Sequence, residues 1–467
     1  MIFVKLILAA LVFPMMLGYI ALSLISKKGD LYTLEILALA YAMGVGFLTF
    51  IMFIIGWMLI PFNVPNILIA CSAVFLYPLI ICIRYNRFLS LNLRETFSSI
   101  TGYKWFEVLL FFIIALRIFL SYFQALIKPV QEIDSLTYRM MEAKIFFIEK
   151  GLSLNQPLGY FIGPTAHKHY PLNISLFSSW IYASLGAWND HLVKIIFPTF
   201  LLAFAIVFFY AIRRITSRPA SLFSTYLLLS LPFLIYHSST SYIDAVVGFY
   251  YFTSFIFLLL FIRKGDISYF IISALLAGIC TWTKNDGLPL ILSNLIVLFV
   301  YQAFIKKDSF LLIASRFMQY LSGILLFQLP WSAFKFIFRD KIPVPAEIPN
   351  FSHIFDYYSR IPVILEFYYK KTLFYGNWNI AWFVLILVLL MTVLRRRLVW
   401  ENIFVLFAII WGMISFGSVY CLSSNSWPGL LDGTVQNRNF LTFTALVVYF
   451  ICISIFRDDN NVMRRSK

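Results

Sequence analysis

The chain of 467 residues is 61% hydrophobic and only 12% charged, about half the charged share of a soluble globular protein, so water is not its main solvent. Its net charge of +16 could suit nucleic acid. The basic residues instead gather in short connections between apolar runs, where they face a membrane surface, and no nucleic-acid partner is expected.

Apolar runs of the length that roughly 30 Å of hydrocarbon demands recur along the whole sequence. They predict an all-α, polytopic membrane protein of about thirteen helices, at 3–25, 33–60, 66–83, 106–127, 192–212, 219–236, 242–262, 267–283, 288–305, 317–338, 378–394, 400–421 and 439–456. The first run has a single early positive charge, Lys5, with Lys27 and Lys28 after it. It reads as an uncleaved anchor and not as a signal peptide. Four divisions follow: 1–105, whose helices look like an addition to the rest; a membrane core over 106–338; an aromatic outer loop or lid over 339–377; and the C-terminal helices and tail over 378–467.

Alternate connections differ sharply in charge. One set carries 21 Lys and Arg, including Arg213, Arg214, Arg218 and the run Arg395 to Arg397, whereas the short connections on the other side carry 3: Lys5, Lys284 and Arg438. Positive charge stays inside, which puts the N-terminus outside and the C-terminus in the cytoplasm. The long segments 128–191 and 339–377 are then external. In the first, Leu136, Met140, Ala143 and Phe147 fall on one helical face, with Arg139, Glu142, Glu149 and Lys150 on the other. This predicts an amphipathic helix lying on the membrane and stopped by Gly151. A weaker repeat spans 172–185, with Leu176, Trp180 and Ala183 on one side. The second segment is rich in proline (Pro343, Pro345, Pro349) and then in tyrosine and phenylalanine. The five cysteines lie in or beside apolar runs without paired spacing and read as small apolar fillers.

The polar residues of the outer face are few enough to weigh singly. Glu132 and Asp134 stand in Val130-Gln-Glu-Ile-Asp-Ser-Leu-Thr-Tyr138; Asp134 suits a helix N-cap, and equally a base that accepts a proton at the interface. Asp244, in Ser241-Tyr-Ile-Asp244, enters an apolar helix where an unpaired charge is costly. Lys284, in Thr283-Lys-Asn-Asp286, and Arg438, in Gln436-Asn-Arg438-Asn, are either snorkelling cations or ligands for a phosphate. His167 and His169 frame Lys168 before Tyr170-Pro171; two histidines are too few to define a metal site, so a divalent metal stays only an open option.

In this order and on this side, Asp134 with Tyr138, His169-Tyr170-Pro171, Ser241-Tyr-Ile-Asp244, Ala277-Gly278 leading to Thr283-Lys284, and Arg438 resemble the membrane glycosyltransferases of the GT-C fold, the protein O-mannosyltransferase and aminoarabinose transferase superfamily. The resemblance covers about 128–300, with a weaker echo at 436–445. It implies a polyprenyl-phosphate sugar donor, a lipid, glycan or protein acceptor, and membrane lipids as surroundings. It also implies a bacterial inner membrane with the site facing outward. The catalytic aspartate falls on Asp134, and Glu132, Tyr138, His169, Tyr170, Asp244, Lys284, Asp286 and Arg438 become substrate contacts. The chain departs from the aminoarabinose branch at His169-Tyr170, where that branch has an acid-lysine pair. A transporter or flippase of lipid-linked sugars, or a polysaccharide polymerase or ligase, fits the same topology.

The charge bias makes a direct prediction. A reporter at position 397 should be cytoplasmic and reporters at 160 and 355 external; labelling of 160 and 397 from the same side would contradict the orientation.

Overall fold

The computed structural model describes residues 2–92, 102, 104–152, 169–339, 355, 357–396, 398–422 and 427–457. Every regular element among them is helical, as expected where a lipid-facing backbone must satisfy its own hydrogen bonds. Ten helices are long and apolar enough to cross a membrane. They are α1 (Ile2–Ile25), α2 (Thr33–Trp57), α3 (Val64–Arg84), α4 (Trp105–Ile127), α7 (Leu192–Arg213), α10 (Asp244–Lys264), α12 (Gly287–Lys306), α13 (Phe310–Ile337), α16 (Trp400–Leu422) and α18 (Thr434–Phe456). Between them lie α5 (Met140–Glu149), α6 (Asn173–Leu185), α8 (Arg218–Leu229), α9 (Pro232–Ser239), α11 (Ile267–Thr283), α14 (Ile361–Leu373), α15 (Ala381–Leu394) and α17 (Trp427–Leu431).

Each expected run coincides with a helix, but the spans that meet the length and composition test number ten, or eleven if α8 and α9 count as one. The run expected as one helix over 219–236 is broken. Pro232 has no N–H to donate and pushes the residue before it out of the helical region; Leu231 is extended, and the two helices meet at 69°. α11 and α15 are shorter apolar helices.

The bundle is organised around α10, buried from Asp244 through Ile262. From the segment 1–105, α2 reaches the rest of the bundle. α2 packs against α6, α7 and α11 as well as α1, and the Tyr250 hydroxyl on α10 donates to the Ala42 carbonyl at 2.8 Å. Small residues set the closest approaches. A Cβ on Gly44 would lie 1.7 Å from the Pro14 carbonyl oxygen where α1 crosses α2, and one on Gly278 would lie 2.3 Å from the Gly323 oxygen where α11 crosses α13. Packing of this kind drives helix association in lipid, where no hydrophobic force acts between helices. All five cysteines are buried and free, as the sequence implied.

The first long loop differs from its expected form. A π-type turn over Ser135–Arg139 runs into α5; Met140 and Ala143 are buried and Glu149 and Lys150 exposed as the pattern implies, but Arg139 and Glu142 are buried too and Leu136 is exposed. The Arg139 guanidinium lies over the rings of Tyr138 and Tyr170, at 4.9 and 5.6 Å, so aromatic faces replace water around it. Nor is α6 a surface helix, since every residue from Asn173 to Tyr182 is buried. Helical period located both helices but could not show that protein, not lipid or water, covers their polar sides. His167, Lys168 and the prolines of the second loop lie outside the described residues.

At the end of the bundle away from these loops, acids in the first turns of three helices meet arginines of the connections. Glu35 pairs with Arg214 at 2.5 Å, Glu107 with Arg218 at 2.8 Å, and Glu401 with both Arg263 and Arg457, the last at 2.7 Å.

The crossing at Gly278 gives a stability test. Gly278→Val drives its Cβ into a backbone oxygen that cannot swing away, and overpacking of this kind costs about 1–3 kcal/mol or more. Thermal unfolding in detergent should fall by several degrees; an unchanged midpoint would mean that α11 and α13 do not approach so closely.

Candidate functional site

The polar residues singled out in the sequence come together at one end of the bundle. Asp244 opens α10 and is completely buried (0% exposed). The residues before it, Thr240 to Ile243, leave the helix, so its carboxylate stands at the helix start beside the ends of α11 and α18. Lys284, which ends α11, places Nζ 2.8 Å from Asp244 Oδ1 and 2.5 Å from Asp286 Oδ2. Arg438, one turn into α18, places Nε 3.0 Å from Asp244 Oδ2 and a terminal nitrogen 2.6 Å from Asp134 Oδ2. One buried carboxylate thus binds a lysine with one oxygen and an arginine with the other.

Asp134 is the accessible member, its side chain 45% exposed against 20% for Arg438. It makes no side-chain bond to the turn behind it, so capping does not account for it. Glu132 accepts from the Ser241 hydroxyl in a short hydrogen bond, and the Ser135 hydroxyl donates to the Ser241 carbonyl at 3.0 Å. The first loop is therefore pinned on both sides of Asp134 to the strand of chain that leads into Asp244.

Tyr138, His169 and Tyr170 form the adjoining wall. The rings of Tyr138 and Tyr170 lie 5.8 Å apart, and the Asn285 amide, next to Lys284, donates to the His169 carbonyl at 3.5 Å. Burial raises the Tyr138 and Tyr170 hydroxyl pKa values, with further upward pushes from Glu142 and Asp286 respectively; both phenols are neutral donors at ordinary pH. Burial by itself would depress the Lys284 ammonium, but Asp244 and Asp286 outweigh it and hold it above the usual lysine value. Its contribution to stability is therefore complete below the ordinary value of about 10.4 and is lost only as pH rises through the raised one. Lys284 is a fixed cation and not a proton shuttle.

Four residues of the site carried little sequence signal. His237, buried on α9, places Nδ1 3.7 Å from Asp244 Oδ2 and stacks on Tyr242 at 5.0 Å. Tyr242 lies under the Arg438 guanidinium at 4.6 Å, within the string that contains Asp244. Asn173 begins α6 and bridges Thr49 of α2 and Thr283 of α11, at 2.7 and 2.8 Å, so it fixes the residue that precedes Lys284. Lys194 donates to the carbonyls of Lys128 and Pro129, both at 3.3 Å, and anchors the start of the first loop. A lone histidine, asparagine or lysine inside an apolar pattern announces none of these partners.

Among the described residues no group of three or more His, Cys, Asp or Glu is arranged to hold a metal ion. The acids of the site face cations instead. Chemically, the cluster offers one exposed carboxylate poised by an arginine, two cations locked side by side, and neutral phenols close by. No protein-family model, curated protein or solved structure significantly matches this chain.

Removing the shared carboxylate tests this arrangement. Asp244→Asn leaves the buried Lys284 and the half-buried Arg438 with one partner each, a change of the kind that costs about 3–5 kcal/mol. The variant should unfold at clearly lower temperature in detergent; wild-type stability would mean that Asp244 is not the link between Lys284 and Arg438.

Proposed function

We propose that this multi-pass membrane protein is a glycosyltransferase that moves a sugar from a polyprenyl-phosphate donor to an acceptor at the face formed by the first long loop. That face is external in the charge-bias reading of the chain. The observation that carries the proposal is the placement of Asp134. It is an accessible carboxylate at the end of the bundle, held 2.6 Å from an arginine that shares a fully buried aspartate with a lysine. A transfer from a lipid phosphate needs these parts, namely a base for the acceptor hydroxyl and fixed positive charge near the departing phosphate.

In the reaction, the Asp134 carboxylate takes the proton of the acceptor hydroxyl as its oxygen attacks the anomeric carbon. The bond from that carbon to the phosphate oxygen breaks, and the lipid phosphate leaves with the bonding pair. Direct displacement inverts the anomeric centre and uses no nucleotide. Arg438 orients Asp134 and is itself held, with Lys284, by Asp244, so the base is in position before the reaction and costs no reorganisation during it. Tyr138 and Tyr170 supply aromatic surface and neutral hydroxyls beside the reacting groups. A lipid, glycan or protein hydroxyl can serve as the acceptor in this scheme.

Asp134→Asn keeps the shape of the side chain and removes the base. Transfer by the purified variant should slow by roughly 100-fold or more, with folding and donor binding retained. Transfer at the wild-type rate would reject Asp134 as the base. Movement of lipid-linked sugar across sealed vesicles without a new glycosidic bond would assign the chain to transport.

A further inference from the structure

The charge around Asp244 limits what the site can hold. Among the described residues, the four acids Glu132, Asp134, Asp244 and Asp286 stand with three cations, Lys194 near Glu132 and Lys284 and Arg438, each of the last two bonded to two carboxylates. A phosphate brought to the same cations would meet more negative than positive charge. A lipid phosphate therefore needs positive charge from a second place.

The start of α18 provides it. Lys371, in the last turn of α14, is only 9% exposed, and among the described residues it forms no ion pair or hydrogen bond; its ammonium rests on the Tyr375 ring at 3.9 Å. It lies against Gly433, the residue before the first turn of α18, so closely that a Cβ there would be 2.3 Å from Nζ. Gly433 has φ of +73° and offers no side-chain cap to the helix behind it. A buried lysine against an uncapped helix N-terminus sets positive charge against the positive end of a helix dipole, which an anion would relieve. Gln436, three residues on, is completely buried, and among the described residues neither atom of its amide has a hydrogen-bond partner. Side chains on a helix lean back over the turn before them, so this amide lies over the first turn of α18.

We infer that Lys371, Gln436 and the first-turn N–H groups of α18 form a phosphate-binding subsite. Arg438 lies five residues along the same helix from Gly433, about 7.5 Å of axial rise. One helix thus carries both the subsite at its first turn and the arginine that holds Asp134. The assignment of the phosphate to an isoprenoid lipid rests on the transferase reading; the anion site itself does not.

The test uses the full-length protein in nanodiscs, with farnesyl phosphate, inorganic phosphate and farnesol as probes and calorimetry as the readout. Wild type should bind farnesyl phosphate and not farnesol, and Lys371→Gln should weaken that binding about tenfold or more, as for a lost hydrogen bond to a charged group. Gly433→Ala should do the same by displacing the ammonium, and Gln436→Leu should weaken binding in the same direction. Lys370→Gln, at the exposed neighbour paired with Glu366, should leave it unchanged. Inorganic phosphate bound with the same dependence on Lys371 assigns the subsite to free phosphate and supports its chemistry. Unchanged binding in folded Lys371→Gln and Gly433→Ala, or no binding of either phosphate by wild type, overturns the inference. Asp134→Asn separates the two proposals: loss of transfer with phosphate binding retained fits both, whereas normal transfer with binding still dependent on Lys371 defeats the transferase mechanism alone.

Discussion

A carboxylate can be stripped of water only where opposite charge and hydrogen-bond donors replace that water. Asp244 is stripped completely, and the way it is compensated orders the whole end of the bundle. One of its oxygens takes the lysine that ends α11 and the other takes an arginine from the start of α18. The ends of two consecutive helices, α10 and α11, and of the distant α18 are fixed by one side chain, and the first loop joins them through Arg438 and Asp134. If the carboxylate were lost, the geometry of the accessible aspartate would lose its reference.

Behind the site, close approach of backbones keeps these helix ends from drifting. Gly44 against Pro14 and Gly278 against Gly323 leave no room for a side chain, so α1, α2, α11 and α13 hold their relative positions. The network from Thr49 through Asn173 to Thr283 then transmits that rigidity to the residue before Lys284. At the far end, the pairs of Glu35, Glu107 and Glu401 with arginines tie the other helix termini. Arginines that give the connections their charge bias are in this way also structural.

The helices and the polar cluster were legible in the sequence for different reasons. Long apolar runs permit little besides a helix in lipid, so almost every span could be placed, and only Pro232 broke one that looked continuous. Acids and bases at apolar helix ends are costly unless used, which is why Asp134, Asp244, Lys284, Asp286 and Arg438 stood out one by one. That Asp244 binds two of them at once was not legible, because pairing between residues 40 and 194 positions apart depends on tertiary contact. The same limit misassigned Arg139 and Glu142, whose helical phase suggested water although both are buried, Arg139 against the rings of Tyr138 and Tyr170. His237, Asn173 and Lys194 carry no pattern at all until their partners are in place.

The central claim is that Asp244 joins Lys284 to Arg438, and a double-mutant cycle reads its Arg438 half directly. The cycle compares unfolding in detergent of wild type, Asp244→Asn, Arg438→Met and the combined variant. If the carboxylate and the guanidinium compensate each other, each single change strands a buried charge and the combined variant loses less stability than the two losses summed, by about 1 kcal/mol or more. Losses that simply add would contradict the arrangement and remove the basis for placing Asp134 where it could act.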